Sequence, residues 1–245
     1  MGKYSFFGDL FAVLHIAPHI SKGGLTVFVF RSVDSHEKEL IDKIVELHHS
    51  SFKGFFLSTL HPGFLRQLYM AFAMYKKSEL IVALDDKKPI GFIAFSFNTK
   101  GAYRYMLWRR FFPFFWYSFL SFVKKPAIFF KMFSALSMPY SHTREADYVK
   151  VFSIAVDPDY RFHGIGTKLI NEMKKLVDFT QYEYITLETD AVDNDNANNF
   201  YIKNGFKLSR EFFTFEGRKM NKYHYREEKE QSDNDQPEQE QTDKA

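Results

Sequence analysis

The sequence predicts an α/β domain built around a mixed sheet. Two observations lead to this prediction. Alternating, β-branched segments recur between residues 26 and 225, and amphipathic helical patterns lie between them. The C-terminal half is the more regular part, because it runs strand, helix, strand, helix, strand, strand. The 245 residues, of which 45% are apolar, suffice for one sizeable domain with appendages.

The N-terminal half begins with a strand after the glycine pair Gly23-Gly24. Asp34 or Ser35 is expected to cap the helix that follows, and His61 opens a second helical pattern. A polar turn at residues 85–88 joins two apolar segments and indicates a hairpin. The expected elements are a strand at Thr26–Val33, a helix through Leu47, a helix at Phe64–Tyr75, and strands at Glu79–Leu84 and Pro89–Phe97.

The C-terminal half follows the same reasoning from the period of its apolar residues. In order, we expect a strand at Tyr148–Val156, a helix at Gly166–Val177, a strand at Tyr184–Glu188, a helix at Asn196–Lys203, and strands at Phe206–Phe215 and Lys219–Tyr225. The domain would therefore occupy residues 25–226.

Two segments flank the domain. Residues 1–24 are interpreted as a surface or docking helix, because Asp9 and His15 interrupt their apolar run. Residues 227–245 carry eight acids against two bases, a net charge of −6, which leaves +9 for residues 1–226 of a chain whose net charge is +3. This tail is expected to be disordered, because it has too little apolar surface to offset the entropy of ordering.

A basic, aromatic insertion occupies about residues 100–140. No acid lies between Asp86 and Glu145, and the uncharged run 111–123 is bracketed by the pairs Arg109-Arg110 and Lys124-Lys125. As a helix, this run would span only about 20 Å, less than a bilayer core of about 30 Å. An aromatic segment between bases is typical of an anionic membrane interface. A lid packed on the domain and an oligomer interface remain alternatives, whereas its Phe-dense, apolar character disfavours nucleic-acid binding.

Two glycines one residue apart, Gly164 and Gly166, stand where the strand Tyr148–Val156 leads into a helix. Glycine lets the backbone approach a ligand closely, and the amides of a first helical turn point outward at the positive end of the dipole. This arrangement is typical of a phosphate site, to which Arg161 adds a positive charge. The spacing excludes a nucleoside-triphosphate loop and the dinucleotide fingerprint.

A second segment at residues 194–206 completes a resemblance. Together the two segments resemble the GCN5-related N-acetyltransferase (GNAT) superfamily. The first matches the family's loop as Arg161-x-x-Gly164-x-Gly166, and the second matches as Asn194-x-x-Ala197-x-x-Phe200-Tyr201-x-x-x-Gly205-Phe206. The resemblance extends over Leu25–Tyr225 and is tight over Tyr148–Phe206. The insertion departs from a minimal member of the family and leaves the acceptor side open.

The resemblance implies the family's fold, a mixed, mostly antiparallel central sheet with flanking helices. It also implies acetyl-CoA as co-substrate, lying between the strands Tyr148–Val156 and Tyr184–Glu188. Tyr201 would be the general acid that protonates the leaving CoA thiolate. The resemblance implies three groups of cofactor-binding residues. Ile154, Ala155 and Val156 would pair with the pantetheine amides, and Asn194 would touch the pantetheine arm. The pyrophosphate would be bound by Arg161, Phe162, His163, Gly164, Ile165, Gly166 and Thr167, and Ala197 completes the cofactor-binding set.

The general base is not indicated by either motif. A protonated amine must lose a proton before it attacks a thioester, and a carboxylate at the end of a strand could accept that proton. Glu188 is the first candidate and Asp190 the second, with Asp147 and Ser153 behind them. No metal ligands are assigned, and the absence of cysteine excludes a thiol nucleophile.

The function expected from these observations is acetyl transfer from acetyl-CoA to a primary amine at a membrane surface. The acceptor would be an amino sugar, a lipid-linked amine or a peptide amine, and the protein would be cytoplasmic and peripheral to the inner face of the membrane. A soluble acetyltransferase with the insertion as a lid is an alternative. A non-catalytic acyl-CoA-binding or interaction module is another.

Overall fold

The computed structural model describes residues 15–21, 24–52, 61–109, 112, 116, 147–214 and 217–227. In this part of the chain, one sheet has the strand order β1-β2-β3-β4-β5-β6-β8-β7. The strands are β1 His15–Ser21, β2 Gly24–Ser32, β3 Ser78–Asp85, β4 Lys88–Ser96, β5 Tyr148–Val156, β6 Tyr184–Asp190, β7 Lys207–Phe213 and β8 Lys219–Tyr225. The helices are α1 Lys38–Ser51, α2 Pro62–Met74, α3 Thr99–Arg109, α4 Ile165–Lys175 and α5 Asp195–Lys203.

Every pair of neighbouring strands is antiparallel except β5 and β6, which are parallel. This architecture confirms the predicted mixed, mostly antiparallel sheet with flanking helices. The bounds of β5 and β8 agree with the sequence expectation, and the other predicted strands and helices differ from it only at their ends. Hydrogen-bonded pairing, rather than the apolar pattern alone, decides where a strand ends.

The two faces of the sheet carry separate cores, and β3 shows how the sequence supplies both. Leu80, Val82 and Leu84 belong to the core that α1 and α2 share with the sheet. Ile81 and Ala83 belong to the core on the opposite face, which includes α4. Because successive side chains of a strand point to opposite faces, a strand that is covered on both sides is a continuous apolar run.

The N-terminal expectation of a docking helix at residues 1–24 is wrong over His15–Ser21. These residues form β1, which pairs with β2 in register from His15 opposite Phe30 to Ser21 opposite Gly24. Pro18 lies within this edge strand, where a missing amide hydrogen is tolerated, whereas in the interior of a helix it would break a hydrogen bond. Residues 1–14 and the tail from residue 228 lie outside the described residues.

Helix α1 also begins later than expected. Asp34 does not cap it: its Oδ1 accepts a hydrogen bond from the amide of His36, 2.7 Å away, and so stabilises a turn. The helix starts at Lys38 with Glu37 at the N-cap. The Glu37 carboxylate is held by the guanidinium of Arg31 at 2.6 Å, so a contact with β2 sets this helix start.

Strand β5 contains a bulge immediately before its second half. Ala94 pairs with Ser153 and Phe95 pairs with Val151, so Phe152 is the extra residue. The ring of Phe152 packs against Phe72 of α2, with ring centroids 5.0 Å apart. Bulges re-aim side chains and increase local twist, and this one lies where β5 begins to part from β6.

Candidate active site

Strands β5 and β6 form a V that opens toward the end of the sheet where α4 begins. They pair only over three residues each, from Tyr148 opposite Tyr184 to Lys150 opposite Thr186. Beyond this point β5 continues to Val156 and stays paired with β4, with Gly91 opposite Val156. In an antiparallel pair, alternate residues direct both backbone polar groups away from the partner strand. The second half of β5 therefore presents amide and carbonyl groups to the opening of the V.

The loop that follows β5 is built by local hydrogen bonds. Asp157 accepts a hydrogen bond from the amide of Asp159 at 3.1 Å, and the hydroxyl of Tyr160 donates to Asp85 at 2.7 Å. This second bond ties the loop to the hairpin between β3 and β4. Phe162 and Gly164 have φ values of 65° and 72°, so the backbone turns through the left-handed region twice before α4.

Gly164 is the N-cap of α4, and a Cβ added there would meet no atom within 4 Å. The space in front of the first helical turn is therefore open. The first turn of a helix leaves its amide hydrogens without intrahelical partners, and these are suited to an anion such as pyrophosphate. Arg161, at the same end of the helix, is exposed.

The predicted cofactor residues differ in how deeply their side chains are buried. Ile165 is buried and belongs to the core, so only its backbone faces the loop. Ile154, Val156 and Ala197 pack against that same core. Ala155 belongs to the opposite core beneath α1 and α2.

The remaining loop residues are open to solvent. The side chains of Phe162, His163 and Thr167 are exposed. Nδ1 of His163 lies 2.9 Å from the carbonyl oxygen of Arg161, so this ring is part of the loop's own hydrogen bonding. Gly166 is partly buried, because the first turn of α4 packs against Phe200.

The second motif forms α5, and its N-cap residue Asn194 lies beside the end of β6. The side-chain amide of Asn194 donates to Oγ1 of Thr189 at 2.7 Å and to the carbonyl of Asp190 at 3.3 Å. Asn194 therefore fixes the end of one arm of the V.

Tyr201 lies on the buried side of α5, with 9% of its surface accessible. Its ring contacts those of Phe200, Phe206 and Tyr223. Burial, with a smaller contribution from the nearby phenol of Tyr223, raises the pKa of Tyr201 to about 12. This phenol is consequently protonated at neutral pH and is available as a proton donor.

Asn198 is a structural residue that the sequence reasoning missed. Its Oδ1 accepts hydrogen bonds from Nδ2 of Asn221 and from the hydroxyl of Tyr223, each at 2.9 Å. Its own amide donates to the carbonyl oxygens of Asp190 and Asn194. One buried side chain thus joins α5 to β6 and β8. Its position three residues before Tyr201 on the helix was the available signal, because residues at that spacing share a face.

Glu188, the first candidate for the base, lies just beyond the paired part of β6. Its Oε2 is 3.1 Å from Nζ of Lys150, so the two side chains form an ion pair across the vertex of the V. Burial is the largest single effect on Lys150 and opposes its charge. The Glu188 carboxylate, Tyr103 and Tyr148 together outweigh burial, so the pKa of the Lys150 ammonium is raised. Burial raises the pKa of Tyr103 beside this pair.

The other candidates for the base have different surroundings. Both carboxylate oxygens of Asp190 accept hydrogen bonds from Nη2 of Arg218, at 2.7 and 2.6 Å. Asp147 is exposed at the start of β5. Ser153 accepts a hydrogen bond at 3.3 Å from the hydroxyl of Tyr69 on α2.

Ser153 ends a buried polar chain that reaches back to α1. The Tyr69 hydroxyl lies 2.6 Å from Nδ1 of His48, a histidine that is 3% exposed. Burial, together with the neighbouring His49, lowers the pKa of His48 to about 4. Burial also raises the pKa of Tyr69. A histidine with so low a pKa is a weak proton acceptor, so this chain serves to join α1, α2 and β5.

The start of the basic insertion is helical in α3. Trp108, Phe112 and Trp116 follow one another at four-residue spacing and are 80%, 81% and 59% exposed. Arg109 is exposed beside them. Arg110, Lys124, Lys125 and the rest of the run 111–123 lie outside the described residues. Within the described ranges, no helix is both long and apolar enough to cross a bilayer.

Comparisons with known proteins agree with this geometry. The family model described as the acetyltransferase (GNAT) family matches residues 41–206, which span both motifs. A search of the curated proteins found no match.

Two solved structures are similar in fold. An N-acetyltransferase from Staphylococcus aureus Mu50 is 15% identical, with 81% of this chain and 98% of that chain covered and a TM-score of 0.52. NAA60 from Arabidopsis thaliana, solved in complex with acetyl-CoA, is 16% identical, with 81% and 98% covered and a TM-score of 0.51. The match to the family model covers more than half of the sequence, and the sheet carries the parallel V with both motifs at its mouth. The chain therefore belongs to the GNAT acetyltransferase family, as an acyltransferase that uses acetyl-CoA as its co-substrate.

Proposed function

We propose that this protein is an N-acetyltransferase that acetylates a primary amine at an anionic membrane surface, with Tyr201 as general acid and Glu188 as general base. The observation that carries the proposal is the V between β5 and β6. The open N-terminal turn of α4 lies at its mouth, and the ion pair of Glu188 and Lys150 lies at its vertex.

The proposed reaction transfers one acetyl group and involves three proton transfers. Glu188 accepts a proton from the acceptor ammonium, directly or through water, and the neutral nitrogen attacks the thioester carbonyl. A C–N bond forms, the C–S bond breaks, and Tyr201 gives its proton to the departing thiolate. The attacking nitrogen then loses its remaining excess proton to solvent. The conjugate thiol of the thiolate has a pKa of about 8.5, and a phenol can donate a proton to this thiolate only within hydrogen-bond reach. The position of α5, which carries Tyr201, is therefore part of the mechanism.

The acceptor would enter from the face of the sheet that carries Glu188. Helix α4 and the buried side of α5 occupy the other face, where they pack their core residues. On the face with Glu188, α1 and α2 cover β3, β4 and β5, which leaves the β6 side of the V as the approach for an amine.

The proposed membrane contact rests on the exposed stripe of Trp108, Phe112 and Trp116. Exposed Trp and Phe side chains favour the headgroup region, and the adjoining bases favour anionic lipid. The protein would accordingly be cytoplasmic and peripheral, with an amino sugar, a lipid-linked amine or a peptide amine as acceptor. A protein that acetylates short soluble amines equally well with and without vesicles would instead use the insertion as a lid.

Cofactor binding and turnover can be measured on the same samples. Acetyl-CoA is titrated calorimetrically into the wild type and into Gly164→Glu, which places a carboxylate in the open space before α4. We expect binding by the wild type and none by the variant, while Gly164→Ala, which adds no charge, retains binding. The chain has no cysteine, so free thiol that appears during turnover comes from CoA alone. Binding without thiol release, across a panel of amines, would instead support a non-catalytic acyl-CoA-binding module.

Membrane binding is tested by sedimentation with vesicles of phosphatidylserine and phosphatidylcholine at low salt. We expect binding that is lost when Arg109, Arg110, Lys124 and Lys125 are changed to Glu, because each base near an anionic surface contributes about 1 kcal/mol. A variant with Trp108→Ala and Trp116→Ala should also bind less. Equal recovery of the wild type and these variants in the supernatant would contradict the membrane part of the proposal and leave the transferase part intact.

A further inference from the structure

One face of the β6–β8–β7 half of the sheet carries a row of cations beside Glu188. Residues opposite each other in a ladder share a face. Glu188 pairs with Lys222 of β8, and Lys222 pairs with Arg210 of β7. Arg226, which follows β8 directly, extends the row past His224. We call Arg210, Lys222 and Arg226 the basic row.

The pKa of His224 indicates that these cations lie close to one another. His224 lies on the same face of β8 as Lys222 and Arg226, because the three residues alternate along the strand. Burial first, and then the charges of Lys222, Arg226 and Arg210, lower the pKa of His224 to about 4. The carboxylate of Glu183 acts in the opposite direction and does not reverse the effect. All three cations of the basic row therefore act on this one side chain.

The acids on this face of β6 already have cationic partners in the structure. Glu188 pairs with Lys150, and Asp190 pairs with Arg218. Arg226 pairs with Glu183, at 2.7 Å. Arg210 is exposed, and its guanidinium lies 5.7 Å from the ring of Phe212. These three acids thus pair with cations other than Arg210.

The basic row lies within reach of an amine at Glu188. Neighbouring strands are about 5 Å apart, so Lys222 is roughly one strand away from Glu188 and Arg210 roughly two, or about 10 Å. An acceptor whose amine meets Glu188 from this face would extend over β8 and β7. Its remaining groups would lie against the basic row, which attracts negative charge.

We propose that the acceptor is an anionic amine, which carries a phosphate or carboxylate about 5–10 Å from its amino group and binds it on Arg210 and Lys222. This inference rests on the proposed function, because it takes Glu188 as the place where the amine is deprotonated. It names a chemical class for the acceptor, which neither of the two motifs specifies.

The test compares matched acceptors that differ in one charged group. The pairs are glucosamine with glucosamine 6-phosphate, and the peptide Met-Ala-Ala with Met-Asp-Ala, so that phosphate and carboxylate are tested separately. We expect the anionic member of at least one pair to have a kcat/KM roughly tenfold or more higher, as expected for a charged hydrogen bond. Its KM should rise with salt concentration, because screening weakens the attraction.

Substitutions in the basic row then test whether these residues cause the preference for the anionic acceptor. Arg210→Gln and Lys222→Gln should each reduce the preference for the anionic acceptor, measured as the ratio of kcat/KM for the anionic member of a pair to kcat/KM for the neutral member. Lys219→Gln is the matched control, because Lys219 lies on β8 but on the opposite face. Equal kcat/KM values within both pairs, or a preference that the two variants leave unchanged, would overturn the inference.

Two further outcomes show whether the basic row binds the acceptor or the chain's own tail. The acidic tail that follows β8 is an alternative occupant of the basic row. If neutralising Asp233, Asp235, Glu238 and Glu240 in the full chain creates or removes the effects of Arg210→Gln, the row binds the tail and the acceptor proposal is wrong. If the wild type does not bind acetyl-CoA calorimetrically, the proposed function itself fails. Binding and turnover without any preference for anionic acceptors contradict only the inference.

Discussion

Gly166 and Phe200 bring the two motifs into direct contact. A Cβ at position 166 would lie 3.0 Å from Cζ of Phe200 and 3.1 Å from its Cε2. A side chain at this position in the first turn of α4 would therefore have to displace the ring of Phe200, which packs on the glycine from α5. The loop that leads into α4 and the helix that carries Tyr201 are held at one spacing by this contact.

Gly166→Ala is expected to lower the free energy of unfolding by about 1–3 kcal/mol, because it overpacks this contact. Acetyl-CoA binding should weaken as α4 moves. Adding Phe200→Leu should restore part of the stability by making room for the methyl group. Urea unfolding of the single and double variants measures the effect, and Asn171→Ala, on the exposed side of α4, is the control. If Gly166→Ala were as stable as Asn171→Ala, the contact with Phe200 would relax without a cost in free energy of unfolding.

Asn198→Ala is expected to destabilise the protein by about 2–4 kcal/mol, because the Nδ2 of Asn221 and the hydroxyl of Tyr223 would lose their buried acceptor. Turnover should fall as well, since α5 also carries Tyr201. Asn199→Ala, the exposed neighbour on the same helix, is the matched control. Equal denaturation midpoints for the two variants would argue against a structural role of Asn198.

Tyr201→Phe is expected to lower kcat by about a hundredfold, the scale of a lost general acid, while leaving acetyl-CoA affinity unchanged. Because the pKa of Tyr201 is raised to about 12, its hydroxyl stays protonated, and its ionisation should cause no loss of wild-type activity up to about pH 10. Single-turnover rates and calorimetric titration separate the two effects. Tyr225→Phe, in the same core, is the control. Full activity of Tyr201→Phe would assign the proton donor to another group.

Glu188→Gln is expected to reduce kcat/KM by about a hundredfold near neutral pH, because glutamine cannot accept the proton of the ammonium. The deficit should shrink at a pH above the pKa of the acceptor amine, where no base is needed. Asp190→Asn serves as the comparison, since loss of its pair with Arg218 should lower stability more than rate. A deficit that is constant with pH would indicate that Glu188 only positions Lys150.

His48 is expected to make the protein less stable in acid. Its pKa is about 4 in the folded protein and about 6.5 when unfolded, so the unfolded chain binds more protons between these values. The free energy of unfolding should therefore be highest above about pH 6.5 and should fall as the pH falls from about 6.5 to about 4. His48→Gln should flatten this slope in urea titrations, and the exposed His36→Gln should not. An unchanged slope in His48→Gln would mean that other groups cause the loss of stability at acidic pH.

The fold could largely be predicted from the sequence, because its signals are local. The alternation of β5 and the amphipathic pattern of α4 each lie within a dozen residues, so the positions of these elements do not depend on the rest of the chain. The prediction was wrong for β1. Its apolar residues were compatible with either structure, and only pairing with β2 makes an extended segment stable there.

For the candidate site, the sequence by itself determined which residues form the proposed phosphate loop and the second motif, since glycine conformation, helix starts and spacing are local properties of the chain. The tertiary structure decided where those residues meet and what surrounds them. The V arises because β5 and β6 stop pairing after Lys150 and Thr186. The partners of Glu188 and the burial of Asn198 come from strands and helices distant in sequence. Strand register and helix packing set these distances, and they follow from contacts across the whole sheet, which no single segment contains.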